Sequence, residues 1–164
     1  MSRTLVCVAI ALFLVSCEAY QPVPPGYSGP TVALSDSGTQ LSGTKAQLFV
    51  AEEMDGKSIE NSFSESAAAS KNRGFHLTMV LTSRNLPVRS MKIKLRGDVA
   101  TGAPIHAMFE QLAGSVQSVQ GVVDFAPIEG ATYTVKGELK DAGSSIWIED
   151  GATHQPVTTV VVSR

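Results

Sequence analysis

Cysteine is nearly missing from this chain. Of 164 residues only Cys7 and Cys17 are cysteines, and both lie in the first 17 positions. Everything that follows is without a thiol, which excludes disulfides, thiolate zinc sites and cysteine nucleophiles from it. A long hydrophobic run is also absent. The apolar stretch 5–15 has 11 residues, whereas a helix needs about 20 to span a bilayer. No G-x-S-x-G, H-E-x-x-H, G-x-G-x-x-G or phosphate-binding Gly-Lys loop occurs, so no nucleophile elbow, helical zinc site, dinucleotide fold or P-loop is legible. One of the 13 basic residues, Arg3, lies in the N-terminal segment, leaving 12 against 15 acidic residues, a formal charge of −3. Such a balance creates no field that would draw the protein to nucleic acid.

What is present begins with a leader. Arg3 supplies a positive charge, 5–15 is an apolar core, and the small residue Ser16 precedes Cys17; this is the layout of a signal peptide. Leu14-Val15-Ser16-Cys17 resembles a lipobox, and over these 17 residues the chain is similar to bacterial lipoprotein precursors. The resemblance implies cleavage before Cys17, removal of 1–16, and lipidation of Cys17 with diacylglycerol and an N-acyl chain; the alternative is an ordinary secretory signal cut near Ala19, with Cys17 incidental. Two or more hydrophobic signals of that kind give stable membrane attachment. An Asp after the cysteine favours inner-membrane retention in enterobacterial lipoproteins; Glu18 stands here, so the expected address is the outer membrane, with the domain facing the periplasm.

Residues 17–30 then read as anchor and tether. Pro22, Pro24, Pro25 and Pro30 with two glycines favour extended polyproline-II chain, and a free spacer of that length reaches up to ~40 Å. Tyr20 and Tyr27 are placed to dock on the domain or to sit at the lipid interface, and a plain spacer is the favoured reading.

From residue 31 to 164 the pattern is that of one domain of short alternating runs divided by turn signals. Strands are expected at 31–34, 46–54, 57–62, 75–81, 91–96, 119–125, 132–139, 145–149 and 157–163, with a polar segment at 35–44 and a Ser/Ala/Asn-rich loop at 62–74 that has room for one helical turn. Asp55-Gly56 between two runs predicts a type I′ hairpin. In 91–96 the alternation is complete: Met91, Ile93 and Leu95 on one face, Lys92, Lys94 and Arg96 on the other. Pro87 argues for a turn or sheet edge at 85–88. Ile105, Met108, Phe109 and Leu112 fall at helical spacing behind Pro104 and before Gly114, predicting one short helix near 104–113, with a bent strand as the competing reading. The fold class is therefore mainly β, an antiparallel β-sandwich of Ig-like or transthyretin-like type with one short helix.

Phe125, Pro127, Gly130, Tyr133, Val135 and Gly137, followed by Trp147-Ile148-Glu149-Asp150, resemble strands of small sandwich modules in Gram-negative lipoproteins. That similarity spans about 35 residues of turn and core types; it implies a fold and assigns no site. Where those hairpins carry glycine after Thr153, this chain has His154.

Candidate functional residues are few. His76, His106 and His154 are scattered without ligand spacing and read as surface residues, so no metal, cofactor or catalytic group is expected. Between 84 and 96 there are five basic residues and no acid. Lys92, Lys94 and Arg96 form a row at ~6.6–6.8 Å spacing, either a contact surface for an anionic group or a solvated face paired with acids such as Glu52, Glu60 or Glu149. Trp147 completes the candidate contact surface if the flanking isoleucines face inward; otherwise it is a core anchor. The expectation is a non-enzymatic, lipid-anchored envelope protein that acts by contact. Its partners would be the membrane, through Cys17, and an envelope protein or anionic envelope polymer. The alternative is a module binding a glycan or small envelope molecule by stacking on Trp147 or Tyr133.

Overall fold

The computed structural model describes residues 19–102 and 117–163. Two sheets pack face to face. The first has the order β10-β9-β8-β1-β5 and the second β2-β3-β6-β7, with β4 paired to β3. The strands are β1 (Thr31–Ser35), β2 (Ser37–Ser42), β3 (Lys45–Met54), β4 (Lys57–Ser58), β5 (Ser83–Pro87), β6 (Met91–Thr101), β7 (Val119–Phe125), β8 (Thr132–Glu138), β9 (Ser145–Asp150) and β10 (Val161–Val162). Among the described residues there is one helix, α1 (Ser62–Ser70), between β4 and β5. This is the expected sandwich, with one pairing of the other sense: β1 runs parallel to β8, with Leu34 opposite Tyr133.

Alternation explains the core. Val32 and Leu34 of β1, Met91, Ile93 and Leu95 of β6, Val123 and Phe125 of β7, and Ile146 and Ile148 of β9 are all buried in one cluster. In β3 both faces are buried. Phe49 and Ala51 enter the cluster between the sheets, while Ala46, Leu48 and Val50 are fully buried on the opposite face, over which α1 packs. Phe49 is accommodated by two glycines. A Cβ on Gly97 of β6 would lie 2.8 Å from its ring, and one on Gly137 of β8 would lie 2.5 Å from it. The final glycine of the 125–137 phrase is thus a notch that lets an aromatic ring fit between the sheets. In the same phrase Phe125 meets Tyr133 edge-on at 4.9 Å, and Tyr133 Oη accepts from Ile128 N at 2.9 Å, closing the intervening turn.

The hairpin at Asp55-Gly56 forms as predicted, with Met54 opposite Lys57 and φ of 51° and 78° at the two turn residues. Elsewhere the elements shift. The polar segment 35–44 contains β2, because the chain leaves the first sheet at Asp36 and enters the second. Of the segment expected to link strands at 85–88, the first three residues belong to β5, an edge strand that ends at Pro87. Of 157–163 only Val161–Val162 forms a strand beside β9, while Val157 N donates to Ile148 O at 2.8 Å. The helix expected near 104–113 lies outside the described residues.

The largest change concerns 62–82. Where a loop with room for one helical turn is expected, α1 runs nine residues, capped by Asn61, whose side chain accepts from Phe63 N and Ser64 N. The expected strand 75–81 joins no sheet; it is held by the helix instead. Ser62, Ser66 and Ser70 hydroxyls accept from Thr82 N, Val80 N and Thr78 N, each at 2.9 Å. Serines four apart on a helix are about 6 Å apart along its axis, and alternate residues of an extended chain about 6.7 Å. The two repeats match closely enough for three rungs, and the serine hydroxyls stand in for a neighbouring strand.

Candidate functional site

Leu14-Val15-Ser16-Cys17 lies outside the described residues, but the chain from residue 19 is placed. Tyr20 N donates to Ser58 O at 2.9 Å. Its ring packs against the hydrophobic core, and the Lys57 ammonium sits 4.4 Å from the ring centroid. An open cavity of 710 Å³ borders Tyr20, Lys57, Ile59, Glu60 and Glu65. Glu60 raises the pKa of Glu65 above the usual carboxylate value, first by sharing a hydrogen bond and then by charge repulsion. Further on, Tyr27 Oη donates to Pro30 O at 3.2 Å, and Val88 N donates to the same carbonyl at 3.1 Å. Tyr20 is thus docked on the domain, where a plain spacer is the favoured expectation.

The basic row on β6 is charge-compensated. Lys92 Nζ is 2.8 Å from Asp124 of β7. Lys94 Nζ bridges Glu53 at 2.8 Å and Glu52 at 3.0 Å. Arg96 reaches Asp98 at 2.8 Å and Glu52 at 3.5 Å, and its guanidinium lies 4.7 Å from the Phe63 ring of α1. These acids hold the lysine pKa values up, Asp124 for Lys92, and Glu53 then Glu52 for Lys94. Three cations thus face four carboxylates. At the end of the row Asp55 accepts from Lys92 N and pairs with Arg89 at 2.7 Å; these two contacts, in that order, hold its pKa low. The row fits the paired reading of the sequence, in which exposed pairs contribute little.

Trp147 takes the outward position. Ile146 and Ile148 are fully buried, so Trp147 faces away from the core, opposite Lys136, and is half-buried. Its Nε1 is buried and has no hydrogen-bond partner among the described residues. Tyr133, the other stacking candidate, is 3% exposed and belongs to the core. His154 adopts φ +56°, a left-handed conformation that favours glycine; its Nδ1 lies 3.4 Å from Glu149 and its side chain is 75% exposed. The neighbouring Asp150 accepts from Thr153 N and Ala152 N, and these bonds lower its pKa. His76 is exposed on the connection after α1, and His106 lies outside the described residues. Among the described residues no group of three His, Cys, Asp or Glu side chains is placed to hold a metal.

One polar centre escaped the sequence reading. The Asp36 side chain is wholly buried where the chain switches sheets. It accepts from Ala51 N at 3.1 Å, Ser62 N at 2.8 Å and Ser62 Oγ at 2.9 Å. Arg84 Nη2 lies 2.6 Å from its Oδ2 as an ion pair, with the arginine side chain 8% exposed. Arg84 belongs to the edge strand β5, and its inward charge also blunts pairing of that edge with other chains. The paired signal was a lone acid in an otherwise Ser/Thr-rich stretch, which reads equally well as a turn.

These features define a two-layer β-sandwich with a helix on one face and a docked N-terminal strap. Compared with protein-family models, with curated proteins and with solved structures, the chain shows no match.

Proposed function

We propose that this chain is a lipid-anchored envelope protein, held to the outer membrane through Cys17 and facing the periplasm, that acts by contact with an envelope partner and not by catalysis. The observation that carries this reading is Leu14-Val15-Ser16-Cys17 behind an 11-residue apolar run, followed within a few residues by a folded, thiol-free sandwich. The described polar clusters support a structural use of charge. The basic row is neutralised by its neighbours, and Asp36 with Arg84 fastens α1 to the sheet switch. His154 meets Glu149 on an open hairpin and not in a cleft. In-cell photocrosslinking from positions along β6 and beside Trp147 tests the contact reading. Recovery of one specific envelope component is the expected result; recovery of none from either surface contradicts it.

A second reading, a module for a glycan or small envelope molecule, rests on Trp147 alone, now that Tyr133 is in the core. A half-buried outward indole is suited to stacking against a sugar face. Tryptophan fluorescence unmoved by envelope glycans would remove that support.

A further inference from the structure

The chain between the lipidation motif and the sandwich is short and pinned. Only Glu18 and Ala19 separate Cys17 from Tyr20, so their Cα atoms lie at most about 11 Å apart. Tyr20 is fixed on β4 by its backbone bond to Ser58 and by the Lys57 contact. From there the proline-rich segment runs to Pro30, fastened to Val88 in the turn between β5 and β6. Arg89 of that turn pairs with Asp55 of the β3–β4 turn, so both fastening points lie at one end of the sandwich. The prolines cross that end, and none of their length remains as a spacer.

We infer that, when Cys17 is acylated, the end carrying Tyr20, the Asp55-Gly56 turn and the start of α1 rests against lipid headgroups. The opposite end, marked by the Gly43-Thr44 turn, points away from the membrane. This deepens the anchor reading and depends on it. β3 joins the two turns, and its ten residues make them about 30 Å apart. Charge at the near end is mixed, with Lys57 and Arg89 beside Asp55, Glu60 and Glu65, so the short pinned chain sets the orientation and not electrostatic attraction. An envelope partner then meets the far end or the outer sheet faces.

The mature lipidated protein has its one cysteine occupied, so Glu60→Cys and Thr44→Cys each add a sole reactive thiol. A donor dye at each site, in phosphatidylethanolamine–phosphatidylglycerol vesicles with a headgroup acceptor, reads distance to the membrane. The expected result is several-fold stronger energy transfer from position 60 than from position 44, with the difference reduced when Tyr20→Ala is added. Equal transfer from both positions in vesicle-bound protein overturns the orientation while the anchor stands. A difference untouched by Tyr20→Ala overturns the pinning. Failure of the acylated protein to bind vesicles overturns the anchor reading, and this inference with it.

Discussion

Replacing Asp36 with alanine removes the charge that the whole α1 connection is built on. The carboxylate is fully buried and receives three hydrogen bonds and the Arg84 ion pair. The variant leaves Arg84 buried without a counter-charge; its Nε and Nη1 already have no partner among the described residues. Breaking one side of a buried pair costs about 3–5 kcal/mol, a large share of the roughly 5–15 kcal/mol that holds a domain folded. With a urea m-value of about 2 kcal/mol per M, the midpoint should fall by about 2 M, read by the fluorescence of the single Trp147. Adding Arg84→Met removes the orphaned charge and should recover part of the loss. Recovery should stay incomplete, because Ala51 N and Ser62 N still lack their acceptor and each costs about 1–3 kcal/mol. A midpoint shift under about 0.5 M for Asp36→Ala, or no recovery in the double variant, would refute the reasoning.

Other outcomes follow from the same geometry. Ser66→Ala strips Val80 N of its acceptor and should destabilise by about 1–3 kcal/mol, with faster hydrogen exchange at Val80 as the local signature. Gly137→Ala would place a Cβ 2.5 Å from the Phe49 ring and from Ser145 O, an overpacking that costs about 1–3 kcal/mol and should appear as a lower thermal midpoint. Lys92→Ala, by contrast, removes a pair whose partners are both mainly exposed, and its urea midpoint should match the wild type. Asp55 has a lowered folded-state pKa, so it favours the fold above its ordinary value of 3.8, and that contribution is lost as pH falls through the depressed value. Asp55→Asn should therefore flatten the acid limb of stability against pH; an unchanged limb would contradict the assignment.

The parts of this fold that were legible in the sequence are those in which a two-residue period meets an unambiguous turn. Met91 to Leu95 and Asp55-Gly56 are of that kind, and both formed as expected. What was not legible depends on partners distant in the chain. Residues 75–81 have strand-like alternation, but an extended chain needs a neighbour for its N–H groups, and here the serines of α1 supply it. The spacing of Ser62, Ser66 and Ser70 was the available signal, hidden because serine and alanine together look like a loop. Asp36 was silent for a similar reason: a single acid between Ser35 and Ser37 gives no hint that Arg84, 48 positions on, will turn inward to meet it. The basic row was read correctly as a row. Its acids come from β3 and β7 as well as β6, so only sheet order could reveal that its charge is compensated. Tyr20 shows the limit of composition most plainly, since a proline-rich stretch reads as a spacer whether or not its ends are fastened.

The central claim is that Cys17 carries the protein to the membrane. Fractionation of cells expressing the full chain with Cys17→Ala tests it most directly, alongside the wild type. The account predicts a membrane-bound, lipid-labelled wild type and a variant that loses the label, is not processed normally and leaves the membrane fraction. A variant that stays at the membrane in unchanged amount would contradict it.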